Sequence, residues 1–219
     1  MSSKNQEIKP TARTKVRRIP ENAVYRKGVV HAILDEGLVC HLGFVHEGQP
    51  FVIPTVYGRD GETLYVHGSI GSRMLKTLRL GAPACLTVTL LDGLVLARSA
   101  FNHSMNYRSV VILGKARDVV GAEKLRALKI ISEHILRGRW RDARKPNQKE
   151  LLQTTVLSLP IAECSAKVRT GPPDDDEPDY ALRVWAGVVP LKLAWGKPAR
   201  DPRLDKKIKL PAYLTRFSA

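Results

Sequence analysis

The sequence predicts a mainly β protein with flanking helices, its strands antiparallel and curled into a barrel or sandwich. Three observations carry this reading. Short runs rich in β-branched and aromatic residues recur between turn residues, as in LVCHLGFVH, PFVIPTVY and TLYVHG. Regular alternation of strands with helices is missing, which argues against a parallel, doubly wound domain. Neither GxGxxG nor GxxxxGK[ST] occurs, so the two commonest phosphate loops of such domains are absent as well.

The elements follow in order. Residues 1–20 are polar and basic, contain Pro10 and Pro20, and read as an extended arm. Glu21 to Glu36 reads as a helix, with Val24, Val30, Ile33 and Leu34 on its apolar side and Gly37 as its stop. Residues 38–46 and 50–57 make a hairpin over Glu47-Gly48-Gln49, and Arg59–Glu62 turns the chain into a strand at 63–68. SRMLKTLRLG (72–81) is a short helix with Met74, Leu75 and Leu78 on one side. Residues 84–92 and 94–101 read as a second hairpin about Gly93, and Tyr107–Val120 as a long strand bulged or bent at Gly114. The clearest helix is 122–136, where Leu125, Leu128, Ile131 and Ile135 recur at helical spacing. A short helix at 149–153 precedes a strand at 154–168, with Pro160 marking an edge or bulge. An acidic, proline-rich loop (172–179) leads to a last strand at 181–191, and residues 192–219 form a basic tail.

The chain has 219 residues and a formal charge of +15, which on its face points to an acidic partner. The charge is not spread evenly. Residues 1–27 and 192–219 carry +6 each, and the stretch between them only +3. A nucleic-acid surface places its cations on a folded face interleaved with aromatics, so this distribution fits solvated ends better. Three cysteines without CxxC spacing argue against a disulfide framework or structural zinc and for a reducing cytoplasm. No apolar run reaches membrane-spanning length, and the basic N-terminus lacks the apolar stretch of a secretory signal.

The segment from Leu64 to Leu75, LYVHGSIGSRML, carries the most chemistry. A strand ends at His67, Gly68 and Gly71 permit close backbone approach, and Ser69 or Ser72 can cap the following helix. Arg73 adds a guanidinium fork suited to phosphate oxygens. The segment reads equally as an anion site and as an ordinary capped helix with a surface arginine. His41 and His46 are five apart on one strand and so face opposite ways, and no HExxH cluster occurs, which leaves no metal site. Ser165 and Lys167 share a strand face, a weak Ser/Lys signal. Asn102–Ser109 is a donor-rich stretch before the long strand, and Trp185 stands beside small residues where it can pack in a core or against a planar ring.

In this order, VIPTVY, LYVHGSIGSRML, NYRSVVILGKA and VWAGVVPL resemble the pyridoxamine 5′-phosphate oxidase-like split barrels, in the flavin-nucleotide-binding branch that includes nitroimidazole-resistance proteins. The resemblance spans about residues 20–191. It implies a six-stranded antiparallel split β-barrel over 21–191, set between the basic arm 1–20 and the basic tail 192–219. It further implies a homodimer binding FMN, or alternatively FAD, in clefts at the subunit interface. Ile53, Pro54, Thr55, Val56 and Tyr57 fall where the family runs a strand along the flavin ring. His67, Gly68, Ser69, Ser72 and Arg73 fall at its phosphate positions, with Met74 where true oxidases carry a lysine. Tyr107, Arg108 and Ser109 fall near the ring, and Trp185 matches a late tryptophan supplied by the partner subunit. Lys167 and Arg169 lie in a segment shared with the branch. The C-terminal substrate motif of true oxidases is replaced by the Lys/Arg/Pro tail, so vitamin B6 oxidation is not expected. The implied function is an FMN-dependent oxidoreductase acting on a small molecule. The alternative is a non-catalytic flavin, heme or deazaflavin binder on the same barrel.

Overall fold

The computed structural model describes residues 6–215 and Phe217. The strands are β1 (Ala23–Val24), β2 (Val39–His46), β3 (Gln49–Asp60), β4 (Thr63–Ser69), β5 (Pro83–Leu96), β6 (Ser104–Lys115), β7 (Arg117–Asp118), β8 (Thr154–Pro160), β9 (Glu163–Arg169) and β10 (Gly187–Pro190). The helices are α1 (Lys27–Glu36), α2 (Arg73–Arg79), α3 (Gly121–Ile135), α4 (Arg139–Asp142), α5 (Gln148–Leu152) and α6 (Ala212–Thr215). Nine strands pair antiparallel in the order β1-β9-β6-β5-β2-β3-β4-β8-β7, and β10 adds to β5. The sheet curls on itself without closing. β6 and β8 come together, and a Cβ at Gly114 would lie 3.1 Å from Leu159 Cδ1, yet no ladder joins the two strands among the described residues.

Strand alternation sends Leu42, Leu64, Val66, Leu86, Ile112 and Leu157 into the interior, where all are buried. α1 adds Val30, Ile33 and Leu34, and α2 adds Met74, Leu75 and Leu78. α3 lies outside, against β3, β4 and β8, and packs Ala127 and Ile131 on Tyr65, Val119 and Val156. Fully buried Tyr57 donates to the Leu34 carbonyl at 2.5 Å, and a ring nitrogen of His134 lies 2.7 Å from the Gly37 carbonyl oxygen. These two contacts tie the end of α1 to β3 and α3.

Several elements differ from the sequence reading. α1 starts at Lys27 rather than Glu21, because Ala23 and Val24 pair with β9 instead. The second hairpin is a single 14-residue strand, β5. Gly93 is a register shift inside it rather than a turn, since β10 comes alongside and a Cβ there would meet Val188 Cγ1 at 3.0 Å. Gly114 conversely pairs in regular register with Ala84, and β6 ends at Lys115 before β7 crosses to β8. The strand expected over 154–168 is split into β8 and β9, which do not pair with each other: β8 lies between β4 and β7, and β9 between β1 and β6. They are joined at Ile161-Ala162, where the buried Ile161 donates its N–H to the Glu62 carbonyl. The expected strand 181–191 shrinks to β10, leaving Trp185 outside it.

The N-terminal arm is extended, but it is docked rather than solvated. Ile8 and Thr14 are buried, Ile8 donates to the Tyr25 carbonyl at 2.7 Å, Thr11 donates to Glu163 at 2.5 Å, and Arg13 pairs with the same carboxylate. The tail 191–211 contains no helix or strand and leads to α6.

Candidate functional site

The β2–β3 hairpin turns on Glu47 and Gly48, both at positive φ (51° and 77°), the two-residue turn that closes on a hydrogen-bonded pair. From that pair, His46–Gln49, the hydrogen-bonding direction alternates. Phe51, Ile53 and Thr55 therefore turn their backbone groups to β2, whereas Pro50, Val52, Pro54 and Val56 turn theirs to the opposite edge. β4 covers that edge only from Tyr57 onward, and the β3–β4 ladder stops at the Tyr57–Val66 pair. Beyond it β4 continues with β8 alone, as far as Ser69. A slot thus opens between β3 and the end of β4. Pro50 and Pro54 are tolerated there because the missing donors face no strand. Val52 and Val56 present the N–H groups on the β3 side, and Val52, Ile53 and Pro54 are exposed.

The far end of the slot is the β4–α2 junction. Ser69 Oγ accepts from Gly71 N at 3.1 Å, and Ser72 Oγ caps α2 by accepting from Leu75 N at 3.4 Å. Arg73 is exposed, and its guanidinium sits 4.0 Å above the Phe51 ring at the start of β3. No carboxylate pairs with Arg73 among the described residues. Met74 points into the core. At the near end, His67 Nδ1 is buried with no hydrogen-bond partner in the structure. Burial alone pushes the His67 pKa below its usual value, so the imidazole is neutral near pH 7.

The structure therefore brings Ile53–Val56, His67–Ser69, Ser72 and Arg73 to one slot, whereas the Tyr57 and Met74 side chains belong to the core. It does not bring Tyr107, Arg108, Ser109 or Trp185 there within one chain. β6 stands three strands from β3 in the sheet, roughly 14 Å away. Tyr107 and Ser109 lie on the outer sheet face, whereas Arg108 points inward and is bidentate to both Glu36 (2.5 and 2.8 Å) and Asp92 (2.9 and 2.7 Å). Both carboxylates raise its pKa further, so its fork is occupied. The Trp185 indole is exposed and rests 3.0 Å from where a Gly187 Cβ would lie. Lys167 is spent on the Arg18 carbonyl at 3.0 Å, and Arg169 on Asn106 at 2.6 Å. His41 and His46 do face opposite ways, and His46 bonds Thr77 at 3.0 Å. Among the described residues no three His, Cys, Asp or Glu side chains gather as a metal cluster. Among the described residues no helix is long and apolar enough to cross a membrane.

Sequence reasoning missed Phe51, which seats Arg73, and Asp175, which fixes the acidic loop leading to Trp185. The Asp175 side chain is fully buried and accepts from Arg98 N (3.0 Å), Ser99 N (3.1 Å) and the Arg98 guanidinium (3.2 Å). Nothing distinguishes it from Asp174 or Asp176 in sequence. Burial raises its pKa, but the two amides and the guanidinium outweigh that and hold it below the ordinary value of 3.8. A depressed carboxyl stabilises the fold above its unfolded value, and the contribution is lost as pH falls through the folded one. Hydrogen exchange at the Arg98 and Ser99 amides should therefore stay slow at neutral pH and quicken on acidification to about pH 3 relative to other buried amides. In Asp175→Asn it should be fast at both.

A family model described as pyridoxamine 5′-phosphate oxidase matches residues 26–168. No curated protein sequence matches the chain. Among solved structures, the flavocytochrome Anf3 from Azotobacter vinelandii is 43% identical with a TM-score of 0.91, over 97% of this chain and 99% of that one. An FAD and heme binding protein from Mycobacterium smegmatis is 34% identical with a TM-score of 0.86, over 90% and 97%. A protein described as a 5-nitroimidazole antibiotic resistance protein, from Bacteroides thetaiotaomicron, is 25% identical with a TM-score of 0.57, over 67% and 86%.

Proposed function

Since the chain belongs to the pyridoxamine 5′-phosphate oxidase family, we propose that it binds a flavin in the slot between β3 and β4 and serves as an oxidoreductase for a small molecule. The observation that carries this reading is the free backbone edge of β3 facing an arginine without a carboxylate partner. A flavin has a flat ring edge that seeks hydrogen bonds and a phosphate that seeks a cation. Val52 and Val56 N–H groups suit the first, and Arg73 with Ser69 and Ser72 suits the second. His67 Nδ1, buried and unpartnered among the described residues, suits a hydrogen bond from the flavin. The bound flavin supplies the electron chemistry. The chain's part is to fix the ring along β3, anchor the phosphate, and keep bulk water off the ring edge.

FMN is the flavin these residues read most directly, and FAD is favoured by the name of the 34% identical relative. A second copy of the chain completes the site. The outer sheet face exposes Val39, Val45, Val52 and Leu91, an apolar surface that a partner would cover. Tyr107, Ser109 and Trp185, remote from the slot in one chain, reach it across that interface.

The second reading, a heme and flavin binder with an electron-transfer role, is favoured by two relatives named for both groups. His67 and His41, both directed to the outer face, fit a heme: His67 Nδ1 has no hydrogen-bond partner among the described residues, and His41 is exposed on β2.

Absorbance of the purified protein separates these readings. A flavin band near about 450 nm with mass-verified FMN or FAD is expected, and an additional strong band near about 410 nm would add heme. Colourless protein that binds neither FMN nor FAD on titration would overturn the flavin assignment. Turnover of the bound flavin with NADH or NADPH and a nitro compound would exclude a pure carrier.

A further inference from the structure

The structure holds a second cavity that the flavin reading does not use. It lies between the C-terminal end of α3, α4 and the tail helix α6, and has a volume of about 800 Å³, within the range of small-molecule sites. Lys129, Arg137, Arg141 and Lys145 line it, with Trp140 and Tyr213 as aromatic walls. Its one acidic side chain, Glu133, has both oxygens committed to the backbone: one accepts from Gly138 N at 2.7 Å, the other from Trp140 N at 3.0 Å. No carboxylate pairs with Arg137 or Lys129 among the described residues. Arg141 pairs with Asp142 at 3.4 Å, and Lys145 donates to the Trp140 and Ala143 carbonyls. Lys129 and Arg137 are therefore the cations of this cavity that an entering anion would meet without displacing a carboxylate.

The aromatic walls are deliberately placed. Gly138 adopts φ 94°, and a Cβ there would lie 3.3 Å from Tyr213 Cδ1, so the tail packs its tyrosine directly on the α3–α4 turn. Arg139 donates to the Tyr213 hydroxyl at 3.3 Å and holds the ring. Lys145 donates to the Trp140 and Ala143 carbonyls and lies 4.9 Å from the Trp140 ring centre, which fixes that indole. Arg137 and Glu133 also border a neighbouring cavity of about 520 Å³ reaching Arg59 and His134, so the site has room to extend along α3.

From two cations without carboxylate partners beside two ordered aromatic rings, we infer that this cavity is a second binding site, for a phosphate-bearing nucleotide. The base lies against Trp140 or Tyr213, and the phosphates meet Arg137 and Lys129. The basic tail is then not a solvated extension but one wall of a ligand site. The inference stands apart from the flavin slot, since none of the residues lining this cavity belongs to β3, β4 or α2.

Calorimetric titration of the full-length protein with ADP, pyrophosphate and adenosine tests it. ADP is expected to bind more tightly than either fragment, with affinity falling as salt rises. Arg137→Ala and Lys129→Ala, both exposed positions that leave the fold intact, should each weaken ADP by about tenfold. Tyr213→Ala should weaken ADP and bring its affinity toward that of pyrophosphate. Saturating FMN should not displace ADP. Absence of ADP binding, wild-type affinity in both cation variants, pyrophosphate binding as tightly as ADP, or displacement of ADP by FMN would each overturn the site.

Discussion

Gly58→Ala should destabilise the protein by about 3 kcal/mol or more, at the upper end of what overpacking costs. A Cβ at Gly58 would lie 2.8 Å from both the Cα and the N of Ile131, and 2.9 Å from the Ile130 carbonyl carbon. These are backbone atoms of α3, and no rotamer change can relieve the clash. Either α3 lifts off β3, exposing Ile131, Ala127 and Tyr65, or β3 is pushed inward onto a filled core. Against a typical total stability of roughly 5–15 kcal/mol, the loss is a large fraction. Urea unfolding should show a midpoint shift at nearly unchanged slope. A midpoint equal to wild type would mean that the helix does not rest on the strand. Because α3 flanks the strand beside the flavin slot and also forms the nucleotide cavity, both binding functions should weaken together in this variant.

Arg73→Ala should leave stability nearly unchanged and weaken flavin binding by roughly 1.5–3 kcal/mol, about 10- to 150-fold, the range for a hydrogen bond to a charged group. The prediction rests on the contrast between two arginines. Arg108 has its fork filled by Glu36 and Asp92, so removing it should cost stability rather than affinity. Arg73 has only the Phe51 face beneath it, a contact that orients the guanidinium without neutralising it. Phe51→Leu should therefore lower affinity less than Arg73→Ala, and Arg73→Lys should recover part of the loss by restoring charge without the fork. Titration of apo-protein with FMN, followed by flavin fluorescence, reads all three. Unchanged affinity in Arg73→Ala would place the phosphate elsewhere.

What the sequence disclosed and what it hid divide along physical lines. Local signals were legible. The β2–β3 and β3–β4 hairpins, the Ser72 cap and the α3 periodicity all depend on residues a few positions apart. The true course of residues 84–101 and 154–168 was hidden because the deciding contacts are distant. Leu-Asp-Gly at 91–93 has the chemistry of a turn, yet β10, nearly a hundred residues later, holds it straight as a bulge. Ile161-Ala162 has no turn chemistry, yet the strand breaks there: β8 keeps to β4 and β7, β9 passes to β1 and β6, and the buried Ile161 sits at the switch. Ile53–Val56, His67–Ser69, Ser72 and Arg73, which line the slot, lay in contiguous motifs. The slot itself could not be read from them, since it exists only because the β3–β4 ladder stops at Val66. Phe51 and Asp175 act through partners that no local pattern names.

The docked N-terminal arm has a consequence for how the protein is made. Thr11 and Glu163 lie 152 residues apart in the chain, and β1 pairs with a strand equally late. At typical elongation rates of about 5–20 residues per second, the arm waits roughly 8–30 s on the ribosome before its acceptor emerges. During that interval Ile8 has no pocket, and the β9 side of β6 is an open sheet edge. Closing so long a loop comes late and slowly. The net charge of +6 in residues 1–27 favours hydration of this segment over that interval.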